Sequence, residues 1–467
     1  MEDIFDKLQA ITGISKYSNS EVITPQNIVK DMVDLLPADV FNPDTKFLDP
    51  AVKSGRFLIE IYHRLMNSPL LAHIPESDRQ KHIIENQLYG LATSPVAATV
   101  TRKALYGNPL VIGNIVYIDR YLILMADKGT DFHKLIEKEF GQMKFDVVIG
   151  NPPYQDGTTS IYQYFIDGAL DGKNTKICMI TKNNWLNSDL MSQTRNRMIK
   201  SGLTKIINYP IIGEVFSGVA ASVTIFLIDT EKGKTDTEYQ EIREGKVISN
   251  YCADLSRYPV IMTTKLEKSI AEKVTSTDGD VCFGRNVLGA KHFQINTNGA
   301  AGFSSGSPML NDYEARRSDT DIQIVYMDKS KCPYVRYLSQ DELPRGHDIL
   351  EKYKVVCGRT TSSGDGVITN INVAMPNQVT SASWGVMYSC DSREEAFIVA
   401  KYLKTKFVRF LVRIMCSDGV QGLNGYRFSL VPEQDFSHPW TDQMLYKKYG
   451  LTQEEIDYIE ATIKLMD

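Results

Sequence analysis

The tetrapeptide Asn151-Pro152-Pro153-Tyr154 carries the strongest chemical signal in the chain. It follows directly on residues 145–150, a β-branched run that is apolar on both faces, so it stands where a strand hands over to a loop. Two consecutive prolines fix the backbone and remove two N–H donors. Their carbonyls are then free to face a ligand amine, while Asn151 adds an acceptor oxygen and Tyr154 a flat π-face. Two acceptors around an amine, with a ring beside them, make a site for the exocyclic amino group of a planar base. Such a nitrogen is a poor nucleophile because its lone pair is delocalised into the ring. Two acceptors favour the geometry in which that lone pair attacks.

Two further segments are informative in combination. Residues 47–58, Phe47-Leu48-Asp49-Pro50-Ala51-Val52-Lys53-Ser54-Gly55-Arg56-Phe57-Leu58, read as a strand, a turn of small residues and a helix. The free N–H groups at such a helix start hold a carboxylate or phosphate. In residues 21–29, Thr24 is expected to cap a helix with Pro25 at its first position. Taken singly, these are an ordinary βα turn and a well-capped helix.

The elements that must position these residues alternate. Helices are expected over 28–36 and 56–66, the latter with Phe57, Leu58, Ile61 and Leu65 on one face. Strands are expected over 46–48, 87–91, 114–118, 145–150, 176–181, 205–209 and 222–228. Strands apolar on both faces, alternating with helices, predict a parallel sheet covered on both sides. Ligands of such sheets bind beyond the carboxyl ends of the strands. After Asp229 the texture changes, and the polar stretch 231–244 reads as a linker. Glycine-rich loops at 299–306 and 358–366 suit recognition. The last helix opens on a capping box, Thr452-Gln453-Glu454-Glu455.

Composition sets the class. The 467 residues, 43% hydrophobic and 23% charged, exclude a disordered chain or fibre and suggest two or three domains. No apolar run reaches the roughly 18 residues of a membrane span. The acidic start, Met1-Glu2-Asp3-Ile4-Phe5-Asp6, is unlike a signal peptide. Seven scattered cysteines form no CxxC pair, which argues against a disulfide framework or zinc site and for a reducing compartment. A net charge of −5 argues against binding nucleic acid through global basicity, though not against one basic groove.

In this order, the three segments resemble those of gamma-class adenine-specific DNA methyltransferases, the NPPY amino-methyltransferases of bacterial restriction–modification systems. Thr24-Pro25 resembles their N-terminal cofactor motif, residues 49–58 their cofactor loop, and Asn151-Pro152-Pro153-Tyr154 their catalytic motif. Looser likeness continues in residues 402–410 and 431–436. The resemblance implies an α/β fold. A Rossmann-like methyltransferase domain with a mostly parallel sheet is expected over residues 1–232, and a mixed α+β target-recognition domain over 233–467. It implies S-adenosylmethionine as cofactor, no metal, a flipped-out adenine in double-stranded DNA as substrate and a cytoplasmic location. A separate restriction endonuclease or helicase subunit is an expected partner, and a membrane is not. Asn151 and the Pro152 carbonyl would accept from the adenine amine and Tyr154 would stack on the base. Phe216 would add a second ring, unless it is a plain core residue. Thr24, Asp49, Ala51, Gly55 and Asn151 would line the cofactor site, with Asp119 preferred to Asp127 and Asp131 for the cofactor's adenine.

Two positions depart from the family pattern. Lys53 stands where glycine is usual. Ala92 and its neighbours stand where an acidic residue usually holds the ribose, leaving the Thr93 and Ser94 hydroxyls as substitutes. In the C-terminal half, Lys401, Lys404, Lys406, Arg409 and Arg413 recur at helical spacing among aromatic residues, which suggests a weak phosphate-binding face. Lys447-Lys448 and Arg316-Arg317 are lesser candidates. Rival readings are an RNA adenine or protein glutamine methyltransferase, and a non-catalytic DNA-binding specificity subunit with a decayed cofactor site. No nuclease module is expected within the chain.

Overall fold

The computed structural model describes residues 22–118, 132–141, 144–156, 159–172, 175–216, 221–278, 281–290, 292–295, 321–327, 333–360, 368–416, 422–464 and 466. They form two compact units, one running to Thr263 and one from Thr264 onward, with residues 187–189 counting with the second. Among the described residues no helix is long and apolar enough to cross a membrane.

The first unit is built on a nine-stranded sheet. Its strands are β1 (Phe47–Val52), β2 (Leu88–Ala92), β3 (Ile115–Tyr117), β4 (Val147–Gly150), β5 (Lys176–Lys182), β6 (Leu203–Tyr209), β7 (Val223–Asp229), β8 (Thr237–Arg243) and β9 (Lys246–Ala253). They lie in the order β9-β8-β6-β7-β5-β4-β1-β2-β3. The strands from β3 to β5 are parallel to their neighbours, whereas β7 runs antiparallel between β5 and β6. The expected strands are all present, with ends shifted by a few residues.

Alternate residues of each central strand feed two apolar layers. Phe47, Val147, Ile149, Cys178 and Ile180 enter one; Leu48, Val148, Ile177 and Met179 enter the other. Each such buried side chain contributes roughly 1.5–3 kcal/mol, and a sheet covered on both faces explains the unbroken apolar runs. The helices α1 (Gln26–Asp34) and α2 (Arg56–Met66) bury Ile28, Val29, Met32, Val33, Phe57, Leu58, Ile61 and Leu65 in the first layer.

The expected linker at 231–244 is instead structure. Strand β8 occupies Thr237–Arg243, pairs parallel with β6 and antiparallel with β9, and carries the first unit to Thr263. Its inward positions are Thr237, Tyr239 and Glu241, so the alternation is masked by polar side chains. Glu241 is buried but satisfied, accepting from Tyr239 Oη at 3.2 Å and Arg243 Nε at 2.7 Å. The boundary expected at residue 232 therefore falls inside the first unit.

The second unit mixes strands and helices. Two three-stranded sheets hold β10 (Ile322–Met327), β11 (Pro333–Leu338), β12 (Tyr353–Gly358), β13 (Asn372–Ala374), β14 (Gln378–Val379) and β15 (Trp384–Cys390), in the orders β11-β10-β14 and β13-β12-β15. The capping box at Thr452 is present on the helix Gln453–Thr462.

The basic stretch is two helices, Arg393–Lys404 and Lys406–Ile414, divided at Thr405, which caps the second. Six apolar side chains of that second helix are buried, so its cations are drawn inward. Arg409 is 5% exposed and donates to the Lys464 carbonyl at 2.8 Å. Lys406 pairs with Glu460 at 2.5 Å, and Arg413 lies 4.0 Å from Glu267. Of the five cations expected to face phosphate, Lys401 and Lys404 are exposed, while Lys406 and Arg409 are committed to holding the fold. Helical spacing shows that cations share a face, not whether that face meets water. Lys448 likewise donates to Gln434 at 2.8 Å and lies over the Trp440 and Tyr449 rings. Arg316, Arg317 and the loop 299–306 lie outside the described residues.

In the first unit, fully buried Trp185 donates its indole N–H to Thr224 Oγ1 on β7 at 2.7 Å. Thr224→Val keeps the shape and strand preference but orphans that donor. It is expected to cost about 1–3 kcal/mol, read as a lower urea midpoint with an unchanged slope.

Candidate active site

Strand order reverses between β1 and β4: the chain proceeds outward from β1 to β3, then returns to β1's other side as β4. The carboxyl ends flanking such a reversal form the ligand crevice of open α/β sheets. Parallel register aligns Phe47 with Val147 and Leu48 with Val148, so Asp49 and Gly150 arrive there together. A Cβ at Gly150 would stand 2.6 Å from Asp49 Oδ1, so only glycine permits this approach without a shift.

Thr24, Asp49, Ala51, Lys53, Ser54, Gly55, Arg56, Phe57 and Asn151 together wall a small recess. The expected site residues Thr24, Asp49, Ala51, Gly55 and Asn151 are therefore brought together, whereas Asp119 lies outside the described residues.

Its polar groups are unevenly satisfied. Asn151 is 3% exposed; its Nδ2 donates to Thr24 Oγ1 at 3.1 Å and to the Val22 carbonyl at 3.4 Å. Its Oδ1 is buried without a partner, as is the Tyr154 hydroxyl. Burial also drives the Tyr154 phenol well above its ordinary pKa, so it stays neutral. Tyr154 and Phe216 are both buried in the first apolar layer, together with Tyr209 and Ile28.

Asp49 is buried, and its Oδ1 accepts from the Ala51 N–H at 3.0 Å. Desolvation pushes its carboxyl up to about 7, against the pull of that N–H and of Lys53. A buried carboxylate of this kind is a seat for a cation. Beside it, α2 begins at Gly55 with φ +75° and no side-chain cap, so the positive end of the helix dipole stands next to the carboxyl. The recess thus sets a buried carboxyl beside the start of a helix.

Three expectations are corrected. Thr24 does not cap α1: the N-cap is Pro25, without a side-chain bond, and the Thr24 hydroxyl turns to Asn151. Lys53 needs no glycine-like backbone, because positive φ at non-glycine residues is confined, among those described, to Glu244, Gln294, Asn370 and Asn377. Its Nζ donates to the Val22 carbonyl at 3.2 Å. Thr93 and Ser94 are not free substitutes for the missing acid beside buried Ala92. The Thr93 hydroxyl donates to the Val52 carbonyl at 3.2 Å, and Ser94 Oγ caps the helix Pro95–Tyr106 by accepting from Ala97 N–H.

Sequence reasoning missed the Val22 carbonyl, a backbone atom with no signature. It also missed Arg56, buried and donating to the Thr24 carbonyl at 2.9 Å. Lys182, at the end of β5, donates to Gln155 next to Tyr154 at 2.8 Å, and burial lowers its pKa. Among the described residues no cluster of three or more His, Cys, Asp or Glu is placed to hold a metal.

The sequence profile of the Eco57I restriction-modification methylase matches residues 86–216, from the approach to β2 through Asn151 to Phe216. A protein of Mycoplasma pneumoniae described as an uncharacterized adenine-specific methylase is 27% identical over 274 residues, covering 44% of this chain and 65% of that protein. Two solved structures share the fold at a TM-score of 0.50 and 12% identity. The cryo-EM structure of a DrdV–DNA complex covers 95% of this chain and 57% of its own. A nuclease-deletion mutant of the Type ISP restriction-modification enzyme LlaGI, with a DNA substrate mimic, covers 86% and 52%. The chain thus spans less than two thirds of each of these proteins. It carries their Rossmann-like α/β fold with a mostly parallel sheet.

Asp49 makes stability depend on pH in a defined sense. Its native pKa of about 7 exceeds the ordinary 3.8, so the native state holds a proton that the unfolded chain releases. Stability therefore falls as pH rises from about 4 to 7, by at most about 4 kcal/mol. Asp49→Asn is expected to melt above the wild type at pH 8, with most of the gap gone by about pH 4.5. A gap that widens towards acid would mean that Asp49 is ionised in the native protein.

Proposed function

We propose that the chain is a gamma-class, adenine-specific DNA methyltransferase of a restriction–modification system. The observation that carries this reading is the buried, unpartnered Oδ1 of Asn151, held at the carboxyl end of β4 beside the recess walled by Asp49 and Gly55. A buried acceptor without a partner costs about 1–3 kcal/mol, a cost that a ligand donor would remove. The match to the Eco57I profile over residues 86–216 and the likeness to an adenine-specific methylase support it.

The residues present fit the methionine end of S-adenosylmethionine. Asp49 would take its ammonium, and the positive end of the α2 dipole would face its carboxylate. When bound, that cofactor supplies an electrophilic methyl group on a sulfonium sulfur. The chain's own part is to hold the acceptor amine. Asn151 Oδ1 and the Pro152 carbonyl would each accept one N–H of the flipped adenine, turning the nitrogen lone pair towards the methyl group. Tyr154 would cover the base, with Phe216 as the second ring. The proton released after transfer leaves to solvent. Orientation and fixed acceptors in a dry site supply most of the rate. Double-stranded DNA is the substrate and the second unit the target-recognition domain, with Lys404 as a phosphate contact. A separate endonuclease or helicase subunit is the expected partner, in the bacterial cytoplasm.

Purified protein with mixed-sequence duplex DNA and radiolabelled S-adenosylmethionine should transfer label to adenine. Asn151→Ala should lose at least about a hundredfold of that rate while still binding cofactor. Wild type that binds no cofactor and transfers no label would favour the non-catalytic reading. Cofactor affinity should rise with pH through about 7, because an ionised Asp49 is the better cation seat. Calorimetry at pH 6 and pH 8 checks the direction.

A further inference from the structure

We infer that Thr24, together with the main-chain carbonyl of Val22, is the positioning element that decides which way round the Asn151 amide stands. The inference rests on the methyltransferase reading above. A carboxamide is nearly symmetric in shape but not in chemistry: one end only accepts, and the other only donates. If it were reversed, Asn151 would present an NH₂ group to the substrate amine, donor against donor, and lone-pair alignment would be lost.

Two contacts fix the useful orientation. Asn151 Nδ2 donates to Thr24 Oγ1 at 3.1 Å and to the Val22 carbonyl at 3.4 Å. A hydroxyl both donates and accepts, so Thr24 alone would tolerate either end of the amide. A carbonyl only accepts, so Val22 rejects the reversed amide, which would set two lone-pair oxygens against each other. The shorter Thr24 bond holds the amide where that discrimination operates. Both side chains are buried, Asn151 at 3% and Thr24 at 4% exposure, so water does not replace either bond. The result is that Oδ1 is the atom left unpartnered.

The segment bearing these groups is pinned from the β1–α2 loop. Arg56 Nη1 donates to the Thr24 carbonyl at 2.9 Å, and Lys53 Nζ donates to the Val22 carbonyl at 3.2 Å. Carbonyls have two lone pairs, so Val22 accepts from Lys53 and Asn151 together. Lys53, where the resembling family has glycine, thereby holds the discriminating carbonyl in place. The Thr24 hydroxyl is available because α1 starts at Pro25 without a side-chain cap.

The test compares the full-length wild type with Thr24→Val and Thr24→Ser. It measures single-turnover methyl transfer to duplex DNA, S-adenosylmethionine affinity by calorimetry, and thermal melts. Thr24→Val should slow transfer by about tenfold or more, a larger factor than any loss of cofactor affinity measured beside it, with a melt lowered only as far as the loss of one buried hydrogen bond requires. Thr24→Ser, which keeps the hydroxyl, should stay within about threefold of the wild-type rate. The inference is overturned by any of three results: Thr24→Val at the wild-type rate, Thr24→Ser as slow as Thr24→Val, or a loss confined to cofactor affinity. A wild type that transfers no methyl group at all overturns the functional reading and this inference with it. An active wild type with an equally active Thr24→Val overturns the inference alone.

Discussion

The close approach of two parallel strand ends is the constraint on which the site depends. Because β1 and β4 are hydrogen-bonded neighbours in register, the loops that leave them start at the same height above the sheet. Gly150 lets Asp49 come within the distance that any side chain would forbid. From that point the β1 loop turns into α2 and the β4 loop into the proline pair. The segment before α1 crosses both and is pinned to each. The rest of the sheet holds this junction rigid by burying alternate residues of the same strands in two apolar layers.

Buried polar atoms without partners occur at the junction of β1 and β4 and also elsewhere, as at Gln87, Thr101 and Ser381. Several buried charges of the scaffold are answered. Lys176 reaches Asp229 at 2.7 Å, and Glu455 accepts from Lys273, Ser269 and the Thr452 N–H. Buried Glu241 is likewise paired within β8. At the junction of β1 and β4, Asp49 is forced towards neutrality, and Asn151 Oδ1 and the Tyr154 hydroxyl lack partners. Native structures leave few such groups.

The second unit draws on cations for cohesion. The helix Lys406–Ile414 carries aromatic and aliphatic side chains around most of its circumference. Arg409 is consequently buried against the Lys464 carbonyl, and Lys406 is tied to Glu460. A basic stretch with interleaved aromatic residues describes an inward helix as well as a phosphate-binding one. What distinguishes them is whether acceptors lie within reach, and here they come from residues more than fifty positions away in the chain.

Much of the fold was legible in the sequence because its cause is local. Unbroken β-branched runs can only be strands covered on both faces, and period-3.6 apolar positions placed α2 at its observed ends. The proline pair marked the end of β4 and the start of the loop that carries Asn151 and Tyr154, since proline has no N–H to offer a sheet. Strand β8 escaped because its inward positions are threonine, tyrosine and a glutamate, which read as polar in the sequence. The antiparallel course of β7 also left no trace in its composition. Residue identity determined what chemistry was available: an amide, a carboxyl, two carbonyls and a ring. Tertiary structure alone decided that Thr24 faces Asn151 across 127 positions of chain instead of capping its own helix. Such a bond depends on where two backbones cross, and no local pattern encodes that crossing.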